Sequence, residues 1–232
     1  MKKTLDTWNR LPQMEEAHNG KGPIYDLPED QKYELQGRII GDFEKHVAAI
    51  DWSNPEYCKL ITENTRSSNY DYSNGMKEMG YGYHNTTMEQ IIISEPVNEA
   101  HEFFLKVAKA TRMENVEFMA CKMPPGNMTP YHQDFFCSYR IRWGLDHITD
   151  EDRYDHIKRY WMPMGDWKTG HFYQSNQTIF DKWKAGDMYA GPGDTPHLAV
   201  NAGTEDRYFA QITGTITDDM LGSKGYEEIV IE

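Results

Sequence analysis

Beyond Asp134 the apolar positions of this chain come in short runs separated by Gly, Pro, Asn and Asp. Residues 160–164, 170–173, 177–180, 198–200 and 208–216 read as strands, with turns at 186–187, 191–194 and 201–206. Glu114–Met123 reads as a strand leading into the Pro124-Pro125-Gly126 turn, and 139–143 alternates as a further strand would. Many short strands with turn-rich joins predict a mainly-β sandwich or barrel.

Ahead of this region the periodicity lengthens. Leu35, Ile39, Phe43, Val47 and Ile50 recur at steps of three and four, which predicts an amphipathic helix from Tyr33 to Ile50. Gly37 and Gly41 weaken it by ~1 kcal/mol each relative to alanine. Residues 91–93 form a short buried strand. Ser94, Glu95 and Pro96 then signal a helix start, followed by a stripe of Val97, Ala100, Phe104, Val107 and Ala108. His101 lies beside that stripe and reads as a packing or surface residue. Residues 1–30 form a polar arm, and the Tyr-, Gly- and Asn-rich segment 64–87, with His84 inside it, is a surface loop or a substrate-facing lid. The charged stretch 146–159 is expected to be a short exposed helix or loop, with His147 and His156 in solvent. The chain reads as a single domain: a supporting region 1–115, a β core 116–217 and a tail 218–232.

Composition narrows the function classes. With 232 residues and 38% hydrophobic content, a packed core needs no disulfide or structural metal. A net charge of −13 repels phosphate backbones and disfavours nucleic acid as a partner. Cys58, Cys121 and Cys137 are scattered and odd in number, as expected of reduced thiols in a cytoplasmic protein. No secretory signal or membrane-spanning stretch is visible, so the expectation is a soluble intracellular protein.

The chemistry gathers around Met123-Pro-Pro-Gly-Asn-Met-Thr-Pro-Tyr-His-Gln-Asp-Phe-Phe136. On an extended strand His132 and Asp134 point to one side, as a metal site would need, or as an incidental hydrogen-bonded pair would. His197 stands apart from the other histidines, preceded by Pro196 and followed by an apolar run that sets it at the start of a buried strand. Arg207 follows ten residues later, on the strand that a hairpin through 201–206 would pair with that of His197. A buried arginine needs an anionic partner, and no acidic residue is obviously placed to supply one.

His132-x-Asp134, His197 and Arg207 together resemble the iron(II)- and 2-oxoglutarate-dependent dioxygenases. The surroundings (Pro125-Gly126, Pro130-Tyr131, Trp183, Gly186-Asp187, Asn201, Gly203) are most similar to the aspartyl/asparaginyl β-hydroxylase branch. The resemblance covers residues 116–217. It implies a double-stranded β-helix, the jelly-roll or cupin-like fold, with flanking N-terminal helices. It further implies iron(II) held by His132, Asp134 and His197, and 2-oxoglutarate as cosubstrate with its distal carboxylate on Arg207. Two imidazoles and a carboxylate on one face of the ion leave positions for the cosubstrate and dioxygen. Arg140 and Arg142, placed on one face of the expected strand 139–143, are candidates for the cosubstrate's other carboxylate, or are solvated. Tyr131, Tyr139 and Trp143 read as core or rim aromatics, His171 as a decoy ligand, and Asp187, Asp194 and Asn201 as turn residues. The implied reaction is hydroxylation, or desaturation, of a small molecule or peptide side chain with release of succinate. Asp134 occupies the position that halogenating relatives leave empty. The alternatives are a cupin-type metal enzyme that uses no 2-oxoglutarate and a non-catalytic jelly-roll binding protein.

Overall fold

A computed structural model describes residues 33–54, 58–61, 85–132, 134, 136–149, 152–176, 178–191, 195 and 197–232, with the backbone alone at 58–61, 131–132, 137–138 and 154. Two sheets dominate it. The larger has eight strands: β1 (Glu34–Ile40), β2 (Cys58–Ile61), β3 (Met88–Ile93), β4 (Glu114–Met123), β6 (Ile157–Pro163), β9 (Asp187–Ala190), β11 (Arg207–Thr215) and β12 (Glu227–Val230). Their spatial order is β12-β1-β9-β6-β11-β4-β3-β2. The smaller sheet runs β5 (Asn127–His132), β10 (His197–Asn201), β7 (His171–Ser175) and β8 (Thr178–Phe180). Pairing is antiparallel apart from β1 with β12. This is the expected jelly-roll arrangement.

The larger sheet separates two cores, and strand alternation assigns side chains to them. Tyr160 and Met162 on β6, and Ala210 and Ile212 on β11, face one side. There they meet α1 (Phe43–Ala48) and α2 (Glu99–Ala110) through Phe43, Val47, Phe103, Phe104 and Val107. Trp161 and Phe209 face the other side, where Tyr173 and Ala199 of the smaller sheet close over them. The aromatic space between the sheets is therefore built from the odd-numbered residues of β6 and β11. No described helix is long and apolar enough to cross a membrane.

Several elements differ from the sequence expectation. The segment 33–50 is a strand followed by a short helix, not one helix. Its apolar spacing fits both, but backbone pairing to β9 and β12 on its two edges wins over the helical stripe. Gly37 belongs to that pairing, since a Cβ there would come within 2.5 Å of the Glu227 carbonyl oxygen on β12. Gly186 is the counterpart across the sheet: it holds φ +82° with its missing Cβ aimed at the Ile39 carbonyl. Residues 218–232 contribute β12 to the sheet edge instead of trailing as a tail. α2 starts at Asn98, whose Oδ1 accepts from the His101 amide at 2.9 Å, later than Ser94. Val97, expected on the apolar stripe, is exposed, whereas His101 is buried as a packing residue.

Residues 137–142 form a helix, α3 (Cys137–Arg142), rather than a strand. Five alternating residues do not settle a period, and here Ile141 and Trp143 lie exposed while Tyr139 packs with Phe136, Leu145, Ile148 and Ile157. Among its described residues the charged stretch holds the short α4 (Arg153–His156) before turning into β6. Most consequentially, β10 and β11 are not a hairpin. They lie in opposite sheets, with 202–206 crossing between them. Asn201 fixes that crossing: its Nδ2 donates to the Met123 and Glu205 carbonyls at 2.8 Å, and its Oδ1 accepts from Gly203. Asn201 is the last residue of β10, and its side chain caps the segment that follows, the capping role expected of it. Segment 64–84, which includes His84, and Asp194 fall outside the described residues.

Candidate metal and cosubstrate site

The site lies between the sheets, at the start of β10. His197 opens that strand, buried, and its Nδ1 stands 3.1 Å from the Thr195 carbonyl. A carbonyl only accepts, so in the neutral ring Nδ1 carries the proton and the lone pair lies on Nε2. Nε2 points at Asp134, 3.5 Å from Oδ2. Two donors bound to one ion at ~2.0–2.2 Å each must lie within ~4.4 Å of one another, and this pair meets that limit. Backbone register contributes the third position: β5 pairs with β10 so that residue 132 stands directly opposite residue 197. Among the described side chains no set of three His, Cys, Asp or Glu converges, and His132 is placed by its backbone. The donor types and the register fit a two-histidine, one-carboxylate centre.

Asp134 has a partner that the sequence did not reveal. Arg159 of β6 places Nη1 2.5 Å from Asp134 Oδ2, while its Nε donates to Thr213 Oγ1 at 2.8 Å. The guanidinium also lies over the Phe136 ring, 4.9 Å from its centre. Arg159 was hidden at the end of the charged stretch 146–159. Only the alternation Ile157, Arg159, Trp161, Pro163 could have marked it as an inward residue of a strand.

Deeper between the sheets lies Arg207, 1% exposed, on the first residue of β11. Its guanidinium carbon sits 5.6 Å from the Trp161 ring centre, 5.4 Å from Trp183 and 4.8 Å from Phe209. Among the described residues Nη1 meets the Met123 sulfur at 4.0 Å, and Nε and Nη2 have no hydrogen-bond partner. Burial pushes its pKa down to about 9. Buried arginines are ordinarily paired, so this one is poised for an anion that the described residues do not provide. Trp161 stacks on Tyr173 with centroids 4.2 Å apart, and the Tyr173 ring lies 5.8 Å from that of His197. Tyr173 is wholly buried, which raises its pKa well above the ordinary value and keeps the hydroxyl protonated. A continuous aromatic wall thus joins the His197–Asp134 pair to Arg207. Aromatic content alone could not have located it, because the rings come from both sheets.

The remaining sequence candidates lie elsewhere. Arg142 makes a two-pronged pair with Glu117, both contacts at 2.7 Å. Arg140 donates to the Ile148 carbonyl at 2.6 Å. Because 137–142 is helical, the shared strand face that suggested them as cosubstrate ligands does not exist. Tyr139 donates to the Asn115 carbonyl at 2.8 Å, and Trp143 is half exposed. His171 meets the Glu205 carbonyl at the far end of β7, away from His197. Asp187 is buried at the start of β9, paired with Arg38 at 2.6 Å.

No known family profile and no curated protein matches this sequence. Among solved structures the chain is similar to a prolyl-4-hydroxylase from Pseudomonas putida at 13% identity and a TM-score of 0.51, over 89% of this chain and 98% of that one. Weaker likenesses include a predicted oxalate decarboxylase from Thermotoga maritima (15% identity, TM-score 0.36, 69% of this chain and 93% of that one). A cupin 2 conserved barrel domain protein from Rhodopseudomonas palustris shows 10% identity and a TM-score of 0.36, over 69% and 72% of the two chains. At such identities the prolyl-4-hydroxylase likeness speaks for a shared fold, and function rests on the site itself.

Proposed function

We propose that this protein is an iron(II)- and 2-oxoglutarate-dependent oxygenase that hydroxylates a small molecule or a peptide side chain. The observation that carries the reading is Arg207, a guanidinium 1% exposed whose Nε and Nη2 lack a partner among the described residues, enclosed by Trp161, Trp183 and Phe209. A fixed, always-charged fork in an apolar wall is what the distal carboxylate of 2-oxoglutarate needs. His132, Asp134 and His197 would hold the iron, which with dioxygen and the 2-oxo acid supplies the oxidising power. The chain's own task is positioning and exclusion. Arg207 anchors one end of the cosubstrate, the Trp161–Tyr173 stack keeps water from its stem, and the Nδ1 contact to Thr195 keeps the Nε2 lone pair of His197 available. Arg159 holds the Asp134 carboxylate in place. With Asp134 supplying an anionic oxygen ligand, the product gains oxygen rather than a halogen.

The test begins with thermal melting in the presence of Zn(II), which cannot turn the reaction over. Adding 2-oxoglutarate at about a hundred times its dissociation constant is expected to stabilise the protein by ~2.7 kcal/mol. Incubation with iron(II), 2-oxoglutarate, oxygen, chloride and a substrate library is then expected to give succinate and a product heavier by one oxygen atom. A chlorinated product would sink the assignment of Asp134, and no response to 2-oxoglutarate would sink the cosubstrate assignment.

A further inference from the structure

Ser175 ends β7 directly opposite His197 on β10. Residues facing each other across an antiparallel pair share a face of the sheet, with Cβ atoms ~4.5–5.5 Å apart. That this face is the interior follows from Tyr173, two residues earlier, whose ring lies against Trp161 and 5.8 Å from the His197 ring. The Ser175 side chain is 0% exposed, and its hydroxyl has no hydrogen-bond partner among the described residues. A serine hydroxyl finds a backbone carbonyl easily, so a buried orphan beside a metal-competent histidine calls for a reason.

The orphaned donors lie at two ends of one wall. Ser175 stands level with His197, and Arg207 with its free Nε and Nη2 stands beyond Trp161. Between them Tyr173, ~7 Å along β7 from Ser175, bridges to Trp161. An unpartnered hydroxyl at one end of an apolar stack and an unpartnered guanidinium at the other suit a short chain carrying an anionic oxygen group at each end. We infer that Ser175 is a cosubstrate-binding residue whose Oγ–H donates to the carboxylate next to the keto group of 2-oxoglutarate, opposite the end held by Arg207. The inference rests on the cosubstrate reading above. It replaces Arg140 and Arg142, which the fold engages elsewhere, as the holder of that second carboxylate.

The test is calorimetric titration of 2-oxoglutarate into the full chain loaded with Zn(II), for the wild type, Ser175→Ala and Arg207→Met, with melting of each protein free of 2-oxoglutarate alongside. Loss of a hydrogen bond to a charged group is expected to weaken binding in Ser175→Ala by tenfold or more. The same substitution removes a buried hydroxyl that has no partner, so melting without 2-oxoglutarate is expected to stay level or rise. A serine with a purely structural role would give the opposite melting result. Wild-type affinity in Ser175→Ala, with binding lost in Arg207→Met, would overturn the role of Ser175 and leave the cosubstrate reading standing. Unchanged affinity in both variants would overturn the two together.

Discussion

Replacing Arg207 by methionine is expected to stabilise the protein in the absence of ligand while abolishing its response to 2-oxoglutarate. Burial lowers the guanidinium pKa to about 9, far below its ordinary value. At ~1.4 kcal/mol per tenfold change in proton affinity, that burial costs on the order of 4–5 kcal/mol at neutral pH. The rings of Trp161, Trp183 and Phe209, at 5.6, 5.4 and 4.8 Å, offset part of it. Cation–π contacts of ~1 kcal/mol each return ~3 kcal/mol. The residue of ~2 kcal/mol is what methionine relieves, since it keeps the length and the apolar contacts without the charge. For a chain of this size that raises the melting temperature by ~4–8 °C. The sign with pH follows from the depressed pKa. Above pH ~9 the folded chain gives up the proton that the unfolded chain still holds, so stability recovers only in alkaline solution and the full cost stands at pH 7. Scanning calorimetry at pH 7 with Zn(II), with and without 2-oxoglutarate, reads both effects. A variant that melts below the wild type without ligand would refute the reasoning, because it would mean that the buried guanidinium already has its counterpart in the folded chain.

Removal of either proposed metal ligand, by His197→Ala or Asp134→Ala, is expected to weaken Zn(II) or iron(II) binding by at least ~100-fold with the protein still folded. His171→Ala, whose ring meets the Glu205 carbonyl instead, is expected to bind metal as the wild type does; the reverse pattern would overturn the ligand set. Acid sensitivity is the remaining expectation. His46 stacks on Phe103 with centroids 4.1 Å apart, and burial, with Lys45 beside it, lowers its pKa. Its folded form resists protonation, so stability is lost as pH falls through ~6.5, where the unfolded histidine takes up its proton. Urea midpoints measured from pH 7.5 to 5 are expected to decline less steeply for His46→Phe than for the wild type, and parallel declines would contradict the assignment.

The sequence alone determined that this is a mainly-β molecule with a long strand ending at Met123 and a buried strand beginning at His197. Both follow from local facts, runs of apolar residues bounded by Gly, Pro and Asn, which need no knowledge of partners. It also marked Arg207 as an anomaly, because an arginine at the start of an apolar strand requires an anion wherever that strand lies. Tertiary structure decided what each strand pairs with. Local spacing did not reveal that Leu35 and Ile39 belong to a strand held between β9 and β12, or that residues 139–142 coil into a helix that turns Arg142 toward Glu117. Nor did it reveal that 202–206 crosses from one sheet to the other instead of closing a hairpin. That crossing sets His197 and Arg207 on separate sheets with the Trp161–Tyr173 stack between them. Arg159 and Ser175 became visible for the same reason. Each is an unremarkable residue along the chain, and each gains its meaning from what stands opposite it, Asp134 for one and His197 for the other. Periodicity reports which face of an element is buried, whereas the register of nonlocal strands, fixed by packing of the whole, decides which residues share a site.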